Sequence, residues 1–366
     1  MEKIKAFFKR KDIEISLKRY GIDALGAMAQ GLFCSLLIGT IIDTLGNQFG
    51  IPFLTQTIAM IPAKGGTEYT VGGLASAMSG PAMAIAIGYA LKSPNLVLFS
   101  MTAVGFAANA LGGPGGPLAV LFVAIISAEF GKAISKETKI DILVTPLVTI
   151  GMGTFLSWLI APALGKAALK VGEVIMWATD LQPFLMGITV SVLVGVALTL
   201  PISSAAICAA FGLTGLAGGA AVAGCCAQMI GFAVISFKEN RWGGLVSQGI
   251  GTSMLQMGNI VKNPRIWIAP TLASAITGPI ATCVFHLKMN GAAVSSGMGT
   301  CGLVGQIGVY TGWVNDVASG AKEAITAMDW TGLILISFVL PAVLSLLIHA
   351  GVKKLGWVKD GDMKLA

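Results

Sequence analysis

Charge is what this sequence has least of: only 11% of its 366 residues are Asp, Glu, Lys or Arg, against about 25% in a soluble domain. That scarcity excludes a water-soluble globule. Histidine is rarer still. His286 and His349 are the whole supply, and both lie near the ends of apolar runs, where an imidazole can reach interfacial water. The six cysteines, Cys34, Cys208, Cys225, Cys226, Cys283 and Cys301, show no CxxC spacing and no nearby histidine. They read as small buried hydrophobes, not as a metal or redox site. Neither a Walker pattern nor a cluster of carboxylates occurs, so the chain is expected to bind no cofactor, neither ATP nor metal. A cleavable signal peptide is not expected either, because the first 23 residues are mixed-charge and amphipathic and the first apolar run follows them.

What is present is apolar. Hydrophobic residues make up 55% of the chain and the mean hydropathy is +0.82. Charge-free runs occupy 24–42, 69–91, 93–128, 142–165, 181–237, 242–261, 266–285, 289–315 and 330–348. A helix crosses the hydrocarbon core with roughly 20 apolar residues, so the two longest runs must hold more than one element. The expected fold is an all-α polytopic membrane protein of about ten transmembrane helices, some of them broken or re-entrant.

The charge that exists is concentrated at the ends. Lys3, Lys5, Lys9, Arg10, Lys11, Lys18 and Arg19 precede the first run, and Lys353, Lys354, Lys359 and Lys364 follow the last. Short basic flanks stay in the cytoplasm, which places both termini there and makes the number of spans even. The net charge of +7 therefore suits anionic lipid head groups and not nucleic acid.

In the first half, residues 51–63, bracketed by Pro52 and Pro62, are too short to cross and read as an interfacial helix. LGGPGGPL at 111–118 splits the run at 93–128 into two spans. Another span is expected at 141–162, ending in IAP, followed by an amphipathic connector at 163–180.

The second half is different in character. After a span at 182–200, Pro201 precedes Ser203 and Ser204 in a stretch of small residues in which Gly215 and Gly219 form a GxxxG pair, the signature of tight helix packing. A proline with hydroxyls in mid-membrane marks a helix break, tolerated where it is buried in protein or lines a wet cavity. GTSMLQMGNIVKNP at 251–264 carries Thr252, Ser253, Gln256 and Asn259, and NGAAVSSGMGTCGLVGQIGVYTG at 290–312 carries Asn290, Ser295, Ser296, Thr300 and Gln306. Three polar, glycine-rich interruptions in one half of a membrane protein point to a midplane solute site. Their amides and hydroxyls suit a neutral ligand with many OH groups, each of which needs a partner once water is stripped away. The alternative is that the same groups bond between helices as glue, at about 0.6–2 kcal/mol each. Lys262 and Arg265 read as a helix cap or an interfacial anchor.

The runs at 142–167, 184–212 and 263–281 resemble, in order and spacing, the membrane-embedded EIIC component of the bacterial phosphotransferase system, and are most similar to its fructose-type branch. GTSMLQ at 251–256 and NIVKNP at 259–264 also resemble stand-alone EIIC-like proteins grouped with a regulator of a clostridial pore-forming toxin. The resemblance covers 140–312; the first 140 residues match in general character only. It implies an obligate homodimer, a sugar or similar polar solute as substrate, and phosphorylation at the cytoplasmic face by a separate EIIB protein. It also implies a scaffold half at 21–180 and a transport half at 181–352 that moves like an elevator, between the basic segment at 1–20 and the basic tail at 353–366 that their charge places in the cytoplasm.

Two departures stand out. The family's ITEG segment falls on 252–256, where there is no glutamate, and its FDMGGPVNKAA segment falls on 198–206, LTLPISSAA, with neither aspartate nor lysine. A missing carboxylate removes a strong acceptor for sugar hydroxyls and a helper for phosphoryl transfer. No stretch is long enough for a fused EIIA or EIIB domain, so a phosphoryl donor would act in trans. Two readings stay open: an EIIC-like transporter, or a membrane sensor that kept the fold and lost phosphorylation-coupled uptake. A scaffold without any ligand leaves the polar segments unexplained.

Overall fold

The computed structural model describes residues 2–61 and 67–365. The chain divides into two compact units, Met1–Ala167 and Ala168–Ala366. Among the described residues it is helical almost throughout, with one two-stranded antiparallel hairpin, β1 (Ala59–Ile61) and β2 (Thr67–Tyr69). Six helical segments are long and apolar enough to cross a membrane, and seven if one bent pair is a single span. The protein is therefore an all-α polytopic membrane protein.

In the first unit a short amphipathic helix, α1 (Glu2–Arg10), precedes the long α2 (Arg19–Phe49), which winds into π-helical turns at Arg19–Ala24 and Phe33–Leu37. The interfacial helix expected at 51–63 is a single turn, Pro52–Thr55, followed by the β-hairpin. Gln56 leaves the helix in an extended conformation (φ −73°, ψ 149°), and the β-branched Thr57 and Ile58 that follow favour a strand. Pro62 lies outside the described residues. Next come α3 (Val71–Ala77) and α4 (Ser79–Ala90), bent by 50° against each other. The break expected in the glycine-proline run is present: α5 (Asn95–Gly112) stops where Gly113 turns to φ +51°, and α6 (Gly116–Ile134) starts after one 3-10 turn.

Lys132 ties this unit to its N-terminal segment. Its buried ammonium donates to the carbonyls of Asp12 (2.6 Å) and Leu91 (3.0 Å) and pairs with Glu129 at 2.9 Å. Arg19 donates to the same Leu91 carbonyl (2.8 Å) and to the Asp12 carboxylate (2.7 Å). Each buried cation is thus surrounded by acceptors, the condition under which a buried charge is tolerated. The hydrogen bond from the Arg19 guanidinium is the main reason that the Asp12 carboxyl is held below its ordinary pKa of 3.8. A depressed acid stabilises the fold above its unfolded value and loses that contribution as the pH falls through the folded one. Hydrogen exchange of the amides of residues 6–18, corrected for the intrinsic rate at each pH, is accordingly expected to rise as the pH drops below 3.8, with little change towards neutrality.

The expected span at 141–162 and connector at 163–180 are one helix, α7 (Asp141–Thr179), 39 residues long, with Pro146 and Pro162 inside it. Each proline removes one backbone donor, and in a membrane helix neighbouring groups absorb that loss, so IAP does not end the span.

The second unit is built around α10 (Gly215–Ile235), whose membrane-length window is 89% buried. It is flanked by α8 (Pro183–Thr199), α13 (Pro264–Val284) and α15 (Ala327–Lys354). Between α8 and α10 runs a short helix, α9 (Ser204–Ala210); α11 (Phe237–Val246) and α12 (Met257–Lys262) precede α13, and α14 (Val304–Ala318) precedes α15. Backbones meet directly here. A Cβ on Gly224 of α10 would stand 1.8 Å from the Ser191 carbonyl oxygen of α8. The GxxxG pair acts otherwise than in helix dimers: a Cβ on Gly219 would stand 1.7 Å from the Leu287 carbonyl oxygen, in a connecting segment, while Gly215 (φ +66°) exchanges both backbone hydrogen bonds with Met289.

Candidate functional site

Helix α8 stops at Thr199 because Leu200, the residue before Pro201, is held extended (φ −69°, ψ 157°). Ser203 then caps α9, accepting from the Ala206 N–H at 3.2 Å. The second interruption, 289–303, is a chain of 3-10 turns with positive φ at Gly299, Gly302 and Leu303. These two segments meet. The Ser204 hydroxyl donates to the Gly297 carbonyl (2.7 Å) and the Ser296 hydroxyl to the Leu213 carbonyl (2.6 Å), and both serines are buried. Ser295 is buried beneath Gly308, where a Cβ would lie 2.5 Å from its own.

The third interruption adjoins them. Thr300 donates to the Gly249 carbonyl at 2.5 Å, just ahead of Thr252, which is extended (φ −158°) and caps the 3-10 turn at Ser253–Gln256. Ser253 shares a 2.7 Å hydrogen bond with Thr199 at the end of α8. The structure therefore gathers Ser203, Ser204, Ser295, Ser296, Thr300, Thr252 and Ser253 around the broken ends of α8 and the 289–303 segment.

The other four residues lie elsewhere. Asn290 donates to Asp316 (2.8 Å), beside a cavity of about 250 Å³ lined by His286, Lys288, Trp313 and Lys322 among others. Gln306 donates to the Ser337 hydroxyl (2.9 Å) and contacts Cys226 Sγ at 3.2 Å. Gln256 and Asn259 form a ladder of amides with Gln248: Gln256 Nε2 donates to Gln248 Oε1 (2.8 Å) and Asn259 Nδ2 to Gln256 Oε1 (2.9 Å). The same two donors reach the carbonyls of Met363 (2.9 Å) and Lys364 (3.0 Å) in the C-terminal tail. The NP break closes this stretch, with Asn263 capping the next turn and the Arg265 guanidinium 5.6 Å from the Trp357 ring centroid.

Two groups escaped the sequence reading. Gln228, fully buried in the small-residue helix α10, accepts from Trp267 Nε1 (2.8 Å) and Thr199 (3.3 Å) and donates to Thr271 (3.2 Å). It joins α8, α10 and α13 directly behind Ser253. Its signal was present, as a lone amide in an otherwise apolar run. Glu239 is the second. Its carboxylate accepts from the Gly361 and Met363 N–H groups at 2.8 and 2.9 Å, so one tail residue, Met363, spans Glu239 and Gln256.

Chemically, the gathered hydroxyls and carbonyls offer donors and acceptors but no nucleophile paired with a base. Such a set matches the hydrogen-bonding groups of a neutral hydroxylated molecule.

A family model described as the phosphotransferase system, EIIC, matches residues 22–365. The chain belongs to that family. This EIIC protein is accordingly a membrane component of a sugar-transporting phosphotransferase system, working with that system's other proteins. No curated protein and no solved structure matches the chain.

Proposed function

We propose that this EIIC protein carries a sugar or related polar solute held between the segments 200–214 and 289–303. The observation that supports this is the meeting of two irregular, hydroxyl-bearing segments through Ser204 and Gly297, beside the Thr199–Ser253 pair, inside an apolar unit. Their hydroxyls are bonded to protein in this state, so solute would replace one set of partners with another as the segments part. In this reading 181–352 is the transport half, moving as an elevator, and 21–180 is the scaffold of a homodimer. On the same reading the phosphoryl group comes from a separate EIIB protein, as group transfer in such a system depends on a phosphoprotein donor. Both basic ends, 1–20 and 353–366, face the cytoplasm across the plasma membrane.

Purified protein screened for thermal stability against sugars, sugar alcohols, sugar acids and their phosphates tests the proposal. One chemical class is expected to raise the melting temperature, by about 2.7 kcal/mol of stability at a hundredfold excess over Kd. Ser204→Ala with Thr300→Val is expected to remove the shift. No shift with any class would overturn the reading.

A further inference from the structure

The C-terminal tail is bound as though it were a ligand. Residues 361–365 lie against Glu239, Asn240, Gln256 and Asn259, and the bonds alternate along the tail backbone. Glu239 accepts from the Gly361 and Met363 N–H groups; Asn240 Oδ1 accepts from the Leu365 N–H (2.8 Å) and Asn240 Nδ2 donates to the Met363 carbonyl (2.8 Å). Gln256 and Asn259 donate to the carbonyls of Met363 and Lys364. Flanking contacts hold the approach: Asn263 Nδ2 donates to Asp362 (2.8 Å) and to the Trp357 carbonyl (3.0 Å), and Lys353 pairs with Asp360.

Gln256 is completely buried and Asn259 nearly so, and part of that burial is the tail itself. A surface of one carboxylate and three amides, presenting donors and acceptors in alternation, fits any molecule whose polar groups also alternate. A peptide backbone is one such molecule. A polyhydroxylated solute is another, because each OH both donates and accepts.

We propose that Glu239, Asn240, Gln256 and Asn259 form a binding site for a hydroxyl-rich solute, and that residues 361–365 are its displaceable internal occupant. This rests on the reading that the protein takes a sugar-like solute, and adds a second place for it with its own control. Tail and solute compete, so the docked tail lowers the apparent affinity and its release opens the site. Gly361 and Lys364 are exposed, Asp362 and Leu365 half-buried and Met363 alone is buried, and each bond is of modest net worth, which makes the tail exchangeable.

The test compares the full chain with a variant lacking residues 361–366 in detergent, using the same panel of sugars, sugar alcohols and sugar acids. Thiol labelling of Leu365→Cys in the full chain, with the exposed Cys34 and Cys283 replaced by serine, reports undocking independently of any solute. If the tail is docked nine-tenths of the time, its deletion is expected to tighten binding about tenfold. Glu239→Gln in the deleted chain is expected to reverse the gain, and in the full chain to speed Leu365→Cys labelling. A bound solute is expected to speed that labelling too. Equal affinities with and without the tail, and labelling indifferent to solute, would overturn the competition while leaving transport through the 200–214 and 289–303 segments standing. Binding of no panel member by either chain would overturn both.

Discussion

Gly224→Val is expected to leave the second unit unable to pack. Even the first added carbon would stand 1.8 Å from the Ser191 carbonyl oxygen and 2.5 Å from its carbon, both backbone atoms that no rotamer change can move. Helices α8 and α10 would have to separate, and with them the Thr199–Gln228 and Ser191–Ser274 hydrogen bonds that join α8 to α10 and α13. Overpacking of a tight core costs typically about 1–3 kcal/mol and more where backbone is displaced, so about 3 kcal/mol or failure to fold is expected. Gly243→Ala is the control. Nothing lies within 4 Å of that position's Cβ direction, and the change is expected to stay within about 0.5 kcal/mol. Melting curves of the detergent-solubilised variants read both results.

Gln228→Leu carries the second large effect. The glutamine accepts from Trp267 and Thr199 and donates to Thr271, so leucine leaves the indole N–H of the half-buried Trp267 without its acceptor. A buried donor left without a partner costs about 1–3 kcal/mol, and a loss of about 2 kcal/mol is expected. In a unit of this size that lowers the melting temperature by about 4–8 °C. Trp267→Phe removes the stranded donor, so the double variant Gln228→Leu, Trp267→Phe is expected to be more stable than the sum of the two single changes allows. Additive losses would show that Gln228 acts by packing alone.

Much of the fold was legible because lipid leaves few choices. Most apolar runs hold a membrane-length helix, although 242–261 and 289–315 do not and six or seven such segments stand where about ten were expected. Pro201 ended α8, the glycine-proline run separated α5 from α6, and the NP break fell between α12 and α13. These are local effects of a missing donor or a forbidden backbone angle, written in one or two residues. Continuity through Pro162 was not legible, because whether a proline breaks a membrane helix depends on what neighbours supply. The strand pairing after Thr55 needed a partner several residues away, beyond the reach of a periodicity argument.

The site divides in the same manner. Residue type singled out the three polar interruptions, but not which would meet. Ser204 and Gly297 are 93 positions apart, and Asn259 and Lys364 are 105 apart. Gln256 and Asn259 were read together with Ser253 from adjacency in sequence, yet they serve the tail while Ser253 turns to Thr199. Glu239 was hidden by its setting in a charged stretch, KENR at 238–241, which reads as an ordinary solvated loop.

The central claim is that solute sits between the two broken segments. Hydrogen–deuterium exchange of the full chain, with and without the sugar that most raises its melting temperature, tests that claim most directly. The account predicts that solute changes exchange in 200–214 and 289–303 together, and that Ser204→Ala with Thr300→Val abolishes both changes. Protection confined to 285–288 and 313–329, around the cavity of about 250 Å³ beside Trp313, would contradict it.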